Sequence, residues 1–177
     1  MNSAFKKLLA LTMLGTSTLL GCGCNRDELN PPTCGGTVDQ SDPDAPKTIG
    51  SKEIASFEAT FFFREDDASS PGRHYHFTIE PDESGTMIAA EDKLGLLGPV
   101  DPSVMDSLQA IVDEEEFAKL NGVHKYVSGL PPEFQPCGIS ARYASGETLS
   151  FVINGDPDHT WPAKIYSLLV PISSDSP

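Results

Sequence analysis

The residues with most chemical potential in this 177-residue chain are two histidines set two apart, His74 and His76. They sit in the alternating stretch RHYHFTIE, residues 73–80. A spacing of two on a strand puts both side chains on one face. Two imidazoles so placed could ligate zinc or copper if a third donor arrived, and Glu58 or His159 could supply it. No Cys/His cluster and no HExxH pattern supports such a centre, so the pair reads first as part of a solvated polar face. Asp156-Pro157-Asp158-His159 offers paired carboxylates for calcium, but it lacks the spaced oxygen ligands of an EF-hand loop. It reads better as a turn with an Asx cap. No G-x-S-x-G elbow frames a serine, and Gly95 and Gly98 lack the lysine and spacing of a phosphate loop. Glu114 to Glu116 is a solvated helix end before it is acid–base machinery. Neither a cofactor nor a catalytic set is expected. The competing reading is a small metal-dependent or hydrolytic enzyme using His74 and His76.

One loop suggests binding instead. Residues 129–138 (GLPPEFQPCG) place Leu130, Pro131, Pro132 and Phe134 on a stiff backbone, with Cys137 able to pin its base. A rigid loop bearing an aromatic loses little entropy on association, so it could engage a peptide or another protein. The competing fate for Phe134 is to fold back onto the core. Trp161 carries the same ambiguity and more often caps a core edge.

Positioning these groups requires strands and one helix. In residues 52–64, Ala55, Phe57, Ala59, Phe61 and Phe63 share one face, and only Phe62 breaks the alternation. Period two with one apolar face predicts a half-buried strand. Residues 73–80 repeat the pattern, with Tyr75, Phe77 and Ile79 inward. A short strand follows over 86–91, then a Gly-rich connection over 92–100. Asp101 can cap a helix and Pro102 suits its first position. Val104, Leu108, Ile111 and Val112 then form its apolar stripe. Asn121-Gly122 offers a left-handed stop. Residues 139–144 and 148–153 alternate about Ser145-Gly146, the clearest hairpin in the chain. A short helix over 163–169 opens at Trp161-Pro162. The expected fold is α+β, about five antiparallel strands in a meander with one main helix packed on one face.

The first 24 residues, MNSAFKKLLALTMLGTSTLLGCGC, have a different character. Lys6 and Lys7 precede 13 uncharged, largely apolar residues, Leu8 to Leu20. That length fits the apolar region of a signal peptide and is too short to span a bilayer. The run ends in Leu19-Leu20-Gly21-Cys22, which resembles the lipobox of bacterial lipoprotein signal peptides. The resemblance covers the leader alone. It implies cleavage before Cys22, a diacylglyceryl thioether on that sulfur and fatty acylation of the new amino terminus. Each buried methylene contributes about 0.8 kcal/mol, so two or more chains hold firmly where one does not. Farther along, the helix, the Asn121-Gly122 stop, the hairpin around Arg142 to Thr148 and Trp161-Pro162 loosely resemble small secreted bacterial domains of unassigned function. That likeness implies no activity.

Charge and cysteines complete the reading. The formal net charge is −14, and removing residues 1–21, which hold two lysines and no acid, makes it −16. So acidic a chain argues against nucleic acid, which needs clustered Lys and Arg. With Cys22 lipidated, Cys24, Cys34 and Cys137 remain, an odd number for an oxidising compartment. Cys34–Cys137 is the favoured disulfide, with Cys24–Cys34 the alternative. The expected organisation is a signal peptide over 1–21, a flexible Pro/Gly/Asp-rich tether over 22–50, one α+β domain over 51–170 and a frayed tail over 171–177. The expected role is a non-catalytic binding or structural module of the bacterial cell envelope. It would face the extracytoplasmic side of the cell or outer membrane through its lipid anchor, with an envelope protein or peptide as partner.

Overall fold

A computed structural model describes residues 35–65 and 71–174. The leader, Cys22, Cys24 and Cys34 lie outside the described residues. The fold is α+β, and its strands are β1 (Thr37–Asp39), β2 (Ile54–Phe63), β3 (Arg73–Pro81), β4 (Met87–Glu91), β5 (Gly95–Pro99), β6 (Lys125–Val127), β7 (Pro136–Tyr143) and β8 (Thr148–Asn154). Two α-helices, α1 (Pro102–Glu114) and α2 (Trp161–Leu169), complete it. Six strands form one sheet in the order β5-β4-β3-β2-β7-β8, while β1 and β6 pair separately. Strands β2 to β5 form a meander, and β7 then joins the free side of β2 rather than extending it.

The alternation dictates the two faces. Phe57, Ala59 and Phe61 of β2, Tyr75, Phe77 and Ile79 of β3, Ile139 and Ala141 of β7, and Leu149 and Phe151 of β8 are all buried. Leu108 and Val112 of α1 and Trp161, Ile165 and Leu169 of α2 join the same core. Trp161 stands edge-on to Phe61 and Phe117, with ring centroids 5.4 and 5.7 Å apart, so it fills the core. The opposite, outer face carries Glu58, Thr60, His74, His76 and Ser140.

Helix α1 begins as its sequence demands: the Asp101 carboxylate accepts the Ser103 N–H at 2.8 Å, and Pro102 follows. It ends earlier than Asn121-Gly122 would suggest. Glu116 takes the left-handed conformation at φ 53°, and a 3₁₀ turn over Phe117–Leu120 sends Phe117 into the core. The chain turns back five positions before Asn121, and burial of Phe117 offsets the cost of a left-handed glutamate. Lys164 of α2 reaches Glu114 at 2.9 Å and Glu115 at 2.6 Å, so the acidic helix end is neutralised from the second helix.

Four expectations change. Residues 95–99, expected as a connection, form edge strand β5; its Pro99 and a register shift between Ala89 and Ala90 suit an edge, where a missing donor and a bulge are tolerated. Strand β7 starts at Pro136, three residues before the expected Ile139, so Cys137 belongs to the sheet rather than to a loop. Residues 35–50, expected in the tether, dock on the domain. β1 pairs antiparallel with β6, Gln40 N–H donates to His124 at 2.8 Å and Asp42 N–H to Gly122 at 2.7 Å. The Glu147 carboxylate accepts the N–H groups of Gly50 and Ser51 at 2.9 Å each. In the expected tail, Ile172 packs against the core.

The 121–127 segment closes the β8 side of the sheet. Gly122 N–H donates to Ser150 and Val152 N–H to Val123, both at 2.8 Å. Two asparagines stitch where the ladder is irregular. Buried Asn121 accepts Ser150 N–H at 2.8 Å and donates to the carbonyls of Pro46 and Thr148 at 2.9 and 3.1 Å. Asn154 exchanges hydrogen bonds with both backbone groups of Val127 at 2.8 and 3.0 Å.

Candidate functional site

The outer face is where the sequence put its histidines, and both lie there. Glu58, Thr60, His74 and His76, with Asp92 and Lys93 from the β4–β5 turn, line a hollow of ≈500 Å³. A second hollow of ≈410 Å³ shares Glu58 and Thr60 and crosses β7 and β8 to His124, over Gly138, Ser140 and Ser150. The two make one trough across four strands, floored by small residues.

The histidines do not converge. The His74 ring nitrogen Nε2 lies 2.9 Å from the Pro132 carbonyl, so it donates there, and the ring sits edge-on to Phe62 at 5.6 Å. His76 turns the other way. Its Nε2 lies 2.9 Å from Glu58 Oε1 and its Nδ1 3.0 Å from Asp92 Oδ1. Glu58, named as a third ligand, is therefore bound to His76 as an ion-pair partner. His159 lines a separate cleft. Among the described residues no cluster of three or more His, Cys, Asp or Glu is arranged to hold a metal ion.

The surroundings of His76 shift its pKa. Burial favours the neutral ring, but hydrogen bonds to Glu58 and Asp92 and their negative charges outweigh it and raise the pKa above that of an ordinary histidine. A doubly protonated ring offers a donor to each carboxylate; a neutral ring has one donor and one lone pair. When protonated, the ring holds neither a lone pair for a metal nor a free base for proton abstraction.

On the inner face, at the same end of the sheet, stands a buried ion pair that the alternation did not reveal. Glu91 is 2 % exposed, accepts from Arg73 at 2.9 and 3.3 Å and takes the N–H groups of Lys93 and Leu94 at 3.1 and 2.9 Å. The Arg73 guanidinium lies 3.8 Å over the Tyr75 ring. Burial pushes the Glu91 carboxyl up, but Arg73 and the two N–H groups pull it net below its ordinary value. The signal available in the sequence was that Arg73 and Glu91 fall in register with the inward residues of β3 and β4.

The proline-rich loop forms the third feature. Residues Pro132–Phe134 make a 3₁₀ turn, with Pro131 and Pro132 exposed, Leu130 half-buried and Phe134 38 % exposed. Phe134 thus remains at the surface. Gly155 fastens the loop to the chain after β8: its N–H donates to Gln135 at 2.9 Å, and a Cβ there would lie 2.5 Å from the Glu133 carbonyl. Between the loop, the end of β2 and the start of α2 lies a cleft of ≈320 Å³ lined by Phe62, Arg64, Glu133, Pro157 and His159, among others. Asp156 caps its own turn by accepting Asp158 N–H at 2.9 Å, the Asx arrangement expected of that motif.

The expected Cys34–Cys137 bridge is not formed. Cys137 is a free thiol, 3 % exposed on β7, and burial, assisted by the charge of Asp156, pushes its pKa up to about 12. Its side chain points into the core because β7 starts three residues early, and Cys34 lies outside the described residues. Among the described residues no helix is long and apolar enough to cross a membrane. Compared with protein families, curated proteins and solved structures, the chain matches none.

Proposed function

We propose that this chain is a lipid-anchored binding or structural module of the bacterial cell envelope, working without catalysis on the extracytoplasmic side. The observation that carries the reading is Leu19-Leu20-Gly21-Cys22 at the end of an uncharged run preceded by two lysines. The thioether on Cys22 is the address. The exposed loop at Pro131, Pro132 and Phe134, with the cleft beside it, is the surface offered to an envelope protein or peptide. On this reading residues 23–34 alone link the anchor to the docked segment and can span at most about 40 Å.

The alternative, a metal-dependent or hydrolytic enzyme built on His74 and His76, gains nothing from their separate hydrogen-bond partners. The deciding experiment is labelled fatty-acid incorporation into the wild type and Cys22→Ala. Label in the wild type and none in the variant is the expected result. Equal labelling of both defeats the anchor. Metal analysis of the purified chain bears on the alternative, since a stoichiometric transition metal would overturn the non-catalytic reading.

A further inference from the structure

We propose that His76 is a proton-operated clasp across the outer-face trough, closing it when the ring is charged and releasing one wall when the ring is neutral. The geometry sets this out. Glu58 comes from β2, His76 from β3 and Asp92 from the β4–β5 turn, so the ring joins three chain segments through side chains alone. Each ring nitrogen faces a carboxylate oxygen within 3.0 Å. That pairing is satisfied only by the imidazolium. When His76 gives its proton to solvent, one nitrogen presents a lone pair to a carboxylate, and that contact turns repulsive. The remaining N–H keeps a single partner.

The groups facing His76 on every side are accounted for. Glu58 and Asp92 are its partners, His74 shares its strand face, and Lys93, Tyr75 and Glu91 reach the margin of the same hollow. Glu91 is already held by Arg73 and cannot replace Asp92. Of the two partners, Asp92 is the one free to leave. Glu58 sits in mid-strand, fixed by ladders to β3 and β7, whereas the Asp92 backbone contributes a 3.3 Å bond to the His76 carbonyl from a turn. Release of Asp92 widens the trough on the β4–β5 side, and loss of the ring proton makes the site more negative by one charge. The same turn leads into Leu94 and Leu96, both exposed, and Glu91 holds it at Lys93 and Leu94 while the clasp adds a hold at Asp92.

The sign follows from the direction of the pKa. A histidine whose folded pKa is raised contributes stability that is complete below its ordinary value and is lost as pH rises through the folded value. The clasp is closed in acid and opens toward alkali. The test is a pH titration of the full chain by NMR, following the His76 ring and the backbone amides of residues 92–96. The expected result is a His76 midpoint above that of an ordinary histidine, lowered in Asp92→Asn and in Glu58→Gln, with the amides of 92–96 moving at the His76 midpoint. Those amide changes vanish in His76→Gln. A His76 midpoint that is the same in the wild type and both carboxylate variants overturns the proposal. So do amides that stay still through the His76 titration. All three substitutions fall on side chains that reach solvent, so the sheet keeps its packing.

Discussion

Arg73 and Glu91 show what a single residue can decide here. A carboxylate with a side-chain exposure of 1 % is tolerated because a guanidinium and two backbone N–H groups surround it. Removing Arg73 leaves that charge buried and half satisfied, which costs about 3 kcal/mol or more. Urea unfolding of Arg73→Ala against the wild type measures this, and a loss below about 1 kcal/mol would mean that water already serves Glu91. The same pair sets the acid limit. Glu91 is held net below its ordinary value, so its contribution is complete above that value and lost as pH falls through the folded pKa. Stability measured from neutrality downward should fall less steeply in Arg73→Ala than in the wild type. The acid-side loss at Glu91 and the alkaline-side loss at His76 are separable, because a lowered carboxyl and a raised imidazole titrate in different pH ranges. Cys137 adds no third window near neutrality, since its thiol stays protonated until about pH 12.

Among the elements, the irregular 121–127 segment depends most on named side chains. β6 has three residues and β1 has three, too short for the ladder alone to hold them. Asn121 supplies the missing bonds to β8 and to Pro46, and its main-chain carbonyl accepts from Lys47. Asn121→Ala should lower stability by about 2 kcal/mol, since it strands several partly buried partners. Amide exchange at Gln40 and Asp42 should speed up more than at Phe57 or Phe77. Uniform acceleration across the sheet would show that Asn121 supports the whole core instead. Gly122 beside it has φ +78°, and a Cβ would lie 2.3 Å from that of Ala45, so Gly122→Ala should loosen the same strap.

The elements that were legible in the sequence are those with period: β2, β3, the β7–β8 hairpin and α1 with its Asp101 cap. Their side chains alternate or recur because one face is buried. β1 and β6 carry no period, being three residues each and paired across nearly ninety positions of chain. β5 was hidden by Gly95, Gly98 and Pro99, residues an edge strand accepts and a central one refuses. The early start of β7 was masked by Pro136 for the same compositional reason. At the site, the outward histidines and Glu58 were legible from alternation, whereas Asp92 was not, because a turn residue has no face until the turn is built.

Over the whole molecule, the boundary between the domain and the segment before it sets, under the proposed Cys22 anchor, how far the domain could stand from a membrane. Composition placed that boundary at Gly50, since residues 35–50 are rich in Asp, Pro and Gly. The structure docks them through β1, through Asp42 on Gly122 and through Glu147 on Gly50 and Ser51. A chain shortened to begin at Gly35 should therefore retain the full stability of the parent. One beginning at Ser51 loses at least five backbone hydrogen bonds to the 121–128 segment and to Glu147, and should be destabilised by about 3 kcal/mol. Limited proteolysis gives the same boundary independently. Because cleavage favours backbone that is neither paired nor buried, residues 35–50 should stay with the resistant fragment. A resistant fragment starting near residue 51, with stability equal to the parent, would return residues 35–50 to the tether. Under the proposed anchor at Cys22, it would also lengthen the link to about 92 Å at full stretch, because each residue contributes at most about 3.3 Å.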